Sequence, residues 1–438
     1  MKNKVTPKIL PGFLELLPED QIQFNRMYQT IRSVYERFGF LPQDTPIIEY
    51  SDVLLAKAGG ETEKQIYRFQ KGDNDLALRF DLTVPLARYV AQHYNELVFP
   101  FKRYQMNKVF RGERPQKGRF REFYQCDIDV IGVDSLDLVF DAEMPAVIYQ
   151  VFKELAFGSF TIRMNNRKIL NGFFSELGFA DRIGDILRTI DKLEKIGAEK
   201  VTEELAELGV SEEAAGRILS FIACKGTNDE LLSMLAAQDI ADETYREGVR
   251  ELTQVIGYLR RFGVEESAFA IDLTIARGLD YYTGTVYETM LNDYPSMGSV
   301  CSGGRYDNLT EYYTDQKLPG IGISIGLTRL YYQLKENGLL GNAPKSLTRC
   351  LVIPMGEETT DAALEAAALL RGAGVNTDVY YQNKGMKQKM KYANRLAIPF
   401  VAIIGEDEKA AGCATVKNME TGEQCMVKLD ELANYIKK

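Results

Sequence analysis

Histidine is almost missing from this chain: His93 is the only one among 438 residues. A Ser–His or Cys–His pair would have to use it, and it sits in a helix-like run, ARYVAQHYNEL, that reads as structural. The six cysteines (Cys126, Cys224, Cys301, Cys350, Cys413, Cys425) are scattered, with no C-x-x-C pair. A disulfide framework and a metal site built from His or Cys are therefore not expected. Such cysteine usage fits a reducing cytosol, so a cytoplasmic location is expected. No apolar run approaches the ~20 residues a membrane helix needs. The N-terminus, MKNKVTPKILPGFLELLPEDQ, shows no continuous apolar segment ahead of a small-residue cleavage site, so no secretory signal is expected. There is no internal repeat, no low-complexity segment and no G-x-G-x-x-G following a parallel strand.

What is present is a soluble composition, 45% hydrophobic and 26% charged, with length enough for about three domains. The formal net charge is −9, yet Lys102 to Arg121 holds eight Lys/Arg (Lys102, Arg103, Lys108, Arg111, Arg114, Lys117, Arg119, Arg121) against one acid, Glu113. A run of charges is ordinarily a solvated face. Here arginine outnumbers lysine, and arginine is the better bidentate phosphate ligand. Phe110 and Phe120 anchor the two ends in apolar surroundings, and two acids and an amide follow on one strand face, an expensive arrangement without a polar ligand. An anion, phosphate or nucleic acid, is the expected partner.

Periodicity supplies the frame. Residues 18–39 read as a helix stopped by Gly39, followed by a short extended segment marked by Pro42 and Pro46. Residues 76–84 (LALRFDLTV) alternate, with Arg79, Asp81 and Thr83 on one face. Residues 120–130 alternate too, with Phe123, Gln125, Asp127 and Asp129 on one face and Tyr124, Cys126, Ile128 and Val130 on the other. Two such strands predict an antiparallel sheet, helix-covered on its apolar face and open to a ligand on its polar face. Residues 136–156 read as a helix despite Pro145, and 166–262 as a helical insertion. The sheet pattern resumes at 268–289. After the linker-like Lys335–Lys345, strands alternate with helices in a small α/β domain. The fold class is α+β.

Three further segments carry chemistry. ARGLDYYTGTVYE (276–288) sets Arg277 after a strand and before two tyrosines; an aromatic-rich hairpin would look similar. SGGRYDNL sets Gly-Gly before Arg305 and Tyr306, which alone marks only a turn. GIGISIGLTRL has glycines at 320, 322 and 326 that allow close backbone approach, and it puts Arg329 in the first turn of a helix, an anion-friendly place.

Together these segments resemble the class II aminoacyl-tRNA synthetases, and within that class the histidyl-tRNA synthetase family, over nearly the whole chain. FGFLPQDTPIIEY, FRGERPQKGRFREFYQCDIDV and GIGISIGLTRL look like the three class motifs; LTIARGLDYYTGTVYE and SGGRYDNL look like the two histidine signatures. The resemblance implies a class II catalytic domain over 1–335 interrupted by the insertion at about 166–262, a linker over 336–346, and an anticodon-binding α/β domain over 347–438. It implies a homodimer with Pro46 at the interface, using ATP with Mg2+, L-histidine and tRNA(His).

It also implies roles. Arg111, Arg119 and Arg329 would hold the ATP phosphates, and Arg277 would sit at the α-phosphate and the substrate carboxylate, so Arg277 and Arg111 are the catalytic candidates. Asp81, Thr83 and Gln125 would hold the ammonium. Asp129 and Tyr282 would read the imidazole, with Tyr281 and Tyr306 lining its pocket. Arg114, Gln116 and Arg121 would face the tRNA acceptor stem. Asp81 stands where many relatives carry Glu, one methylene longer, and Thr328 precedes Arg329 where an acid is common. The basic run Lys384, Lys387, Lys389, Lys391 and Arg395 adds a second phosphate-friendly patch beside its ordinary reading as a solvated helix face. Two rival readings stay open: a non-catalytic paralogue that regulates histidine biosynthesis by binding a phosphoribosyltransferase, and a histidine-sensing or RNA-binding module.

Overall fold

The computed structural model describes residues 4–56, 61–114, 118–275 and 282–437, with the side chains of 61–62 and 194–195 excepted. The chain divides into two compact units, Met1–Leu14 with Tyr28–Leu339, and Glu15–Met27 with Leu340–Lys438.

In the larger unit the strands are β1 (Leu41–Pro42), β2 (Ile48–Tyr50), β3 (Arg68–Lys71), β4 (Asn74–Leu78), β5 (Phe101–Phe110), β6 (Glu122–Ile131), β7 (Phe160–Asn166), β8 (Phe269–Ile271), β9 (Thr285–Leu291), β10 (Cys301–Tyr306) and β11 (Gly320–Ile325). Eight of them form one sheet in the order β1-β5-β6-β11-β10-β9-β7-β8. It is antiparallel except at its edges, where β1 runs parallel to β5 and β7 parallel to β8. β2, β4 and β3 make a separate three-stranded sheet.

One face of the large sheet is covered as the alternation predicts. The fully buried Tyr35, on helix Pro18–Arg37, donates to the Cys126 carbonyl on β6 at 2.9 Å. Helix Val139–Leu155 packs on β7, β10 and β11 with Pro145 inside it, and Tyr287 from β9 donates to its Asp141 carbonyl at 2.5 Å. Arg305 of β10 pairs with the buried Asp141 carboxylate, so it is a tie between sheet and helix. Residues 167–261 are a run of helices, from Arg167–Glu176 to Glu243–Arg261, with a break at Gly197 inside Leu193–Glu207.

One reading of the alternation fails. β4 ends at Leu78 and pairs with β2 and β3, and a helix begins at Thr83, so 76–84 is not one strand beside β6. Arg79 does not share an open polar face: it is fully buried, donating from Nε to Lys108 O (2.8 Å) and from Nη1 to Thr45 O (2.6 Å). The period-2 pattern continued past the strand because Asp81 and Thr83 are polar for another reason, the start of the helix.

In the second unit, β12 (Cys350–Pro354), β13 (Thr377–Val379), β14 (Phe400–Ile404), β15 (Cys413–Asn418) and β16 (Gln424–Lys428) pair in the order β13-β12-β14-β15-β16. Alternate residues feed opposite cores. Cys350 and Val352 join Ala366, Leu370, Leu432 and Ile436 on one face. Leu351 and Ile353 join Ala393 and Ile398 on the other. The basic helix Met386–Arg395 is not uniformly exposed. Lys389 is buried, its Nζ donates to Pro354 O at 2.6 Å, and burial lowers its pKa, so it does not belong to the phosphate-facing patch.

Candidate active site

β6 organises the site. Its residues 125, 127 and 129 point to one face at the ~6.6 Å repeat of alternate strand positions. β5 places Asn107, Gln105 and Arg103 opposite them, and β11 places Ser324 opposite Asp127 and Gly322 opposite Asp129. Two cavities open along this row.

The larger, about 330 Å3, is lined by Arg111, Glu113, Arg119, Phe123, Gln125 and Arg329 among others. Arg111 is rigid. Its guanidinium lies between the rings of Phe80 (4.4 Å) and Phe123 (5.1 Å), and its Nε donates to Phe80 O at 3.2 Å. Burial pulls its pKa down, with the Asp81 carboxylate the main opposing charge. Arg329 falls in the first turn of helix Leu327–Glu336, as its position after Gly326 predicts, and its Nη2 donates to Met297 O at 2.7 Å. Thr328 has a clear use: its Oγ1 accepts from the Tyr124 amide at 2.8 Å, tying this helix to β6. Arg119 is mostly exposed, 3.5 Å from Glu113.

The smaller cavity, about 30 Å3, is lined by Thr83, Asp127, Asp129, Tyr282, Tyr306 and Ser324, with Gly322 and Ile323. Ser324 borders both cavities, and its Oγ accepts from Gln125 Nε2 at 2.7 Å. Tyr306 donates to Asp129 Oδ1 at 2.8 Å. Arg103 Nη2 lies 2.7 Å from Asp129 Oδ2, an ion pair without hydrogen-bond alignment, and donates to Leu82 O at 3.1 Å. Burial raises the Asp129 pKa, while Arg103 and Tyr306 oppose the rise. The glycines at 320 and 322 clear room for side chains rather than for a ligand's backbone approach. A Cβ at Gly322 would sit 2.1 Å from Asp129 Oδ1, and one at Gly320 would sit 2.4 Å from the Tyr306 ring.

The expected residues thus divide. Asp129, Tyr282, Tyr306 and Thr83 meet at the small cavity, and Arg111, Arg119, Arg329 and Gln125 meet at the large one. Asp81 caps a helix: its Oδ1 accepts from the amides of Thr83 (3.0 Å) and Val84 (2.9 Å). Arg114 is exposed, while Arg121 is half-buried with Nε donating to Glu113 O at 2.9 Å. Gln116, Arg277 and Tyr281 lie outside the described residues.

The charge anomaly also shrinks. Lys102, Arg103 and Lys108 belong to β5, where they pair with Glu143, Asp129 and Glu122. Two site residues were given no role from sequence, Asp127 and Arg103. The polar face of β6 already contained Asp127. Nothing local marks Arg103, because its partner is set by the β5–β6 register.

The family described as Histidyl-tRNA synthetase matches residues 12–330, and an Anticodon binding domain matches residues 349–438. A relative from Clostridium tetani, named Histidine--tRNA ligase, is 58% identical over 437 residues, covering 100% of this chain and 99% of the relative. The crystal structure of histidyl-tRNA synthetase from Nostoc sp. PCC 7120 superposes with a TM-score of 0.91 at 42% identity, covering 99% of each chain. A Bacillus halodurans structure, titled an ATP phosphoribosyltransferase regulatory subunit/histidyl-tRNA synthetase, shares the fold at 21% identity and a TM-score of 0.75, covering 89% of this chain and 97% of that one. With arginine-lined and carboxylate-lined cavities on one strand, and with family matches over both parts of the sequence, this chain belongs to the histidyl-tRNA synthetase family of class II aminoacyl-tRNA synthetases.

Proposed function

We propose that the two cavities hold the two substrates of histidine activation, ATP in the larger and L-histidine in the smaller, and that Ser324 marks where they react. The observation that carries this is the shared wall: Ser324 borders both cavities, so an α-phosphorus and an amino-acid carboxylate would meet there. The carboxylate attacks the α-phosphorus, the bond to pyrophosphate breaks, and histidyl-adenylate forms. No protein base is needed, because the nucleophile is already ionised. The protein contributes positioning and positive charge. Arg111, held between two rings, faces the α-phosphate, and Arg119 and Arg329 take the outer phosphates. Arg277 takes the α-phosphate and the substrate carboxylate.

Mg2+ enters as part of the nucleotide substrate. Among the described residues there is no cluster of three His, Cys, Asp or Glu to hold a resident ion. Glu113 is the carboxylate lining the larger cavity. Asp81, Thr83 and Gln125 surround the ammonium; Asp129 and Tyr282 read the imidazole, with Tyr281 and Tyr306 closing around it. Asp129 is already fixed by Arg103 and Tyr306, so an isosteric apolar side chain would leave these polar groups unpaired and be rejected.

In the second step the tRNA 3′ end takes the histidyl group from the adenylate, with a substrate phosphate oxygen accepting the proton. Arg114, Gln116 and Arg121 meet the acceptor stem, and the α/β domain over 347–438 meets the anticodon. A second copy of the chain is the partner that would cover Leu41, Ile48, Tyr50 and Phe69, all exposed on β1, β2 and β3. Among the described residues no helix is long and apolar enough to cross a membrane, and a cytosolic location is proposed.

The test is histidine-dependent exchange of pyrophosphate into ATP, run against all twenty amino acids. Exchange with histidine alone is expected, and its absence would sink the reading in favour of a regulatory or sensing paralogue. Arg277→Ala should abolish exchange while the protein stays folded.

A further inference from the structure

Asp127 is 2% exposed, yet its Oδ1 has no hydrogen-bond partner, and it lines the small cavity. A buried carboxylate oxygen without a partner is costly unless a ligand completes it. Its neighbours show which kind of ligand. On β5, Arg103 supplies one buried cation, with its Nε and Nη1 also unpartnered. On β6, Asp129 lies two residues away and already uses its oxygens for Arg103 and Tyr306. Asp81 acts on both carboxylates and Arg111 on Asp127, so two guanidiniums stand against three carboxylates; one negative charge is left over when all are ionised, and the ligand should bring one positive charge into reach of Asp127.

The imidazole of histidine is largely neutral near pH 7, but the α-ammonium is a full cation. Position agrees. Asp127 lies on the strand between Gln125 and Asp129, one repeat from each. Asp81, the carboxylate first expected at the ammonium, has Oδ1 committed to the Thr83 and Val84 amides. As an aspartate it also reaches one methylene less far than a glutamate would.

We propose that Asp127 is a further carboxylate that holds the α-ammonium of the bound amino acid beside Asp81, Thr83 and Gln125, with Arg103 balancing the Asp127–Asp129 pair. This rests on the reading of the small cavity as the histidine site. The Ser324 hydroxyl, opposite Asp127 in the register, steadies the carboxylate from β11.

Two ligands separate the ammonium from the ring: L-histidinol, which carries both, and its deamino analogue, which keeps the imidazole and the hydroxyl but has hydrogen in place of the ammonium. Each is titrated calorimetrically into the full chain and into Asp127→Asn. That variant keeps the side-chain shape and leaves Arg103 and Asp129 in one-to-one balance, so it should fold. The wild type should prefer histidinol by roughly 100-fold. In Asp127→Asn the preference should fall by roughly 10- to 100-fold, the worth of a hydrogen bond to a charged group, with the deamino analogue binding as before. Asp127→Ser, given the same two ligands, should show the same collapse by a different side chain. If both ligands weaken equally in the variants, or if the preference survives, Asp127 does not hold the ammonium. If the wild type binds neither ligand, the histidine-site reading itself falls, and this proposal with it.

Discussion

Arg103 Nη2 sits 2.7 Å from Asp129 Oδ2 across the β5–β6 ladder, with both side chains withdrawn from solvent. Arg103→Met would leave Asp127 and Asp129 buried without their cation. Removing one partner of a buried pair costs about 3–5 kcal/mol. Urea denaturation at neutral pH should show a loss of that size. A loss under about 1 kcal/mol, ordinary for a point substitution, would show that the guanidinium is not balancing the pair.

Tyr306 supplies the hydrogen bond to Asp129 Oδ1, and its ring lies where a Cβ on Gly320 would go. Tyr306→Phe keeps the ring and removes the donor. The KM for histidine in pyrophosphate exchange should rise about tenfold, the worth of one hydrogen bond to a charged acceptor, while the KM for ATP stays put. Equal changes in both would point to general disruption of the sheet.

Gly322 is needed for space. A Cβ there would stand 2.1 Å from Asp129 Oδ1 and 2.8 Å from Ile128 O, so Gly322→Ala must push the carboxylate away from Tyr306. Overpacking of this kind costs about 1–3 kcal/mol. The larger effect should fall on histidine, with kcat/KM down by tenfold or more, since each tenfold is about 1.4 kcal/mol. Retained histidine affinity would mean that Asp129 does not read the substrate from its observed place.

Burial, reinforced by Asp129 and Asp81 and opposed by Arg103 and the Ser324 hydroxyl, pushes the Asp127 carboxyl up to about 7. An unfolded aspartate titrates near 3.9. Between these values the folded chain binds more protons than the unfolded one, so this group makes stability fall as pH rises, opposite to a salt-bridged carboxylate. The three-unit gap corresponds to a loss on the order of 4 kcal/mol, full above pH 7 and absent below about pH 4. Asp127→Asn should therefore be more stable than wild type at pH 8, with the difference shrinking towards pH 5. A difference independent of pH would contradict the raised pKa.

Much of the fold was legible locally. The helix ended by Gly39, the alternation in 120–130, the helix carrying Arg329 and the helical run after residue 166 are all patterns of near neighbours, and the structure has each of them. The misreadings share a cause. Residues 76–84 alternate, but their polar members serve a buried arginine and a helix cap. The basic run reads as one anion-facing stretch, but three of its eight cations, Lys102, Arg103 and Lys108, belong to a strand and are paired there.

By itself the sequence determined which residue types face the same way, because side-chain direction in a strand or helix is fixed by short-range geometry. It therefore put Gln125, Asp127 and Asp129 on one face, and its motifs named Arg111, Arg119 and Arg329, which line the larger cavity. Only the tertiary structure decided that Arg103 stands across from Asp129, that Gly322 clears space for that carboxylate from nearly two hundred residues away, and that Asp127 keeps an unpartnered oxygen. Those facts depend on the register between strands distant in the chain, and register is set by the packing of the whole sheet against its helices.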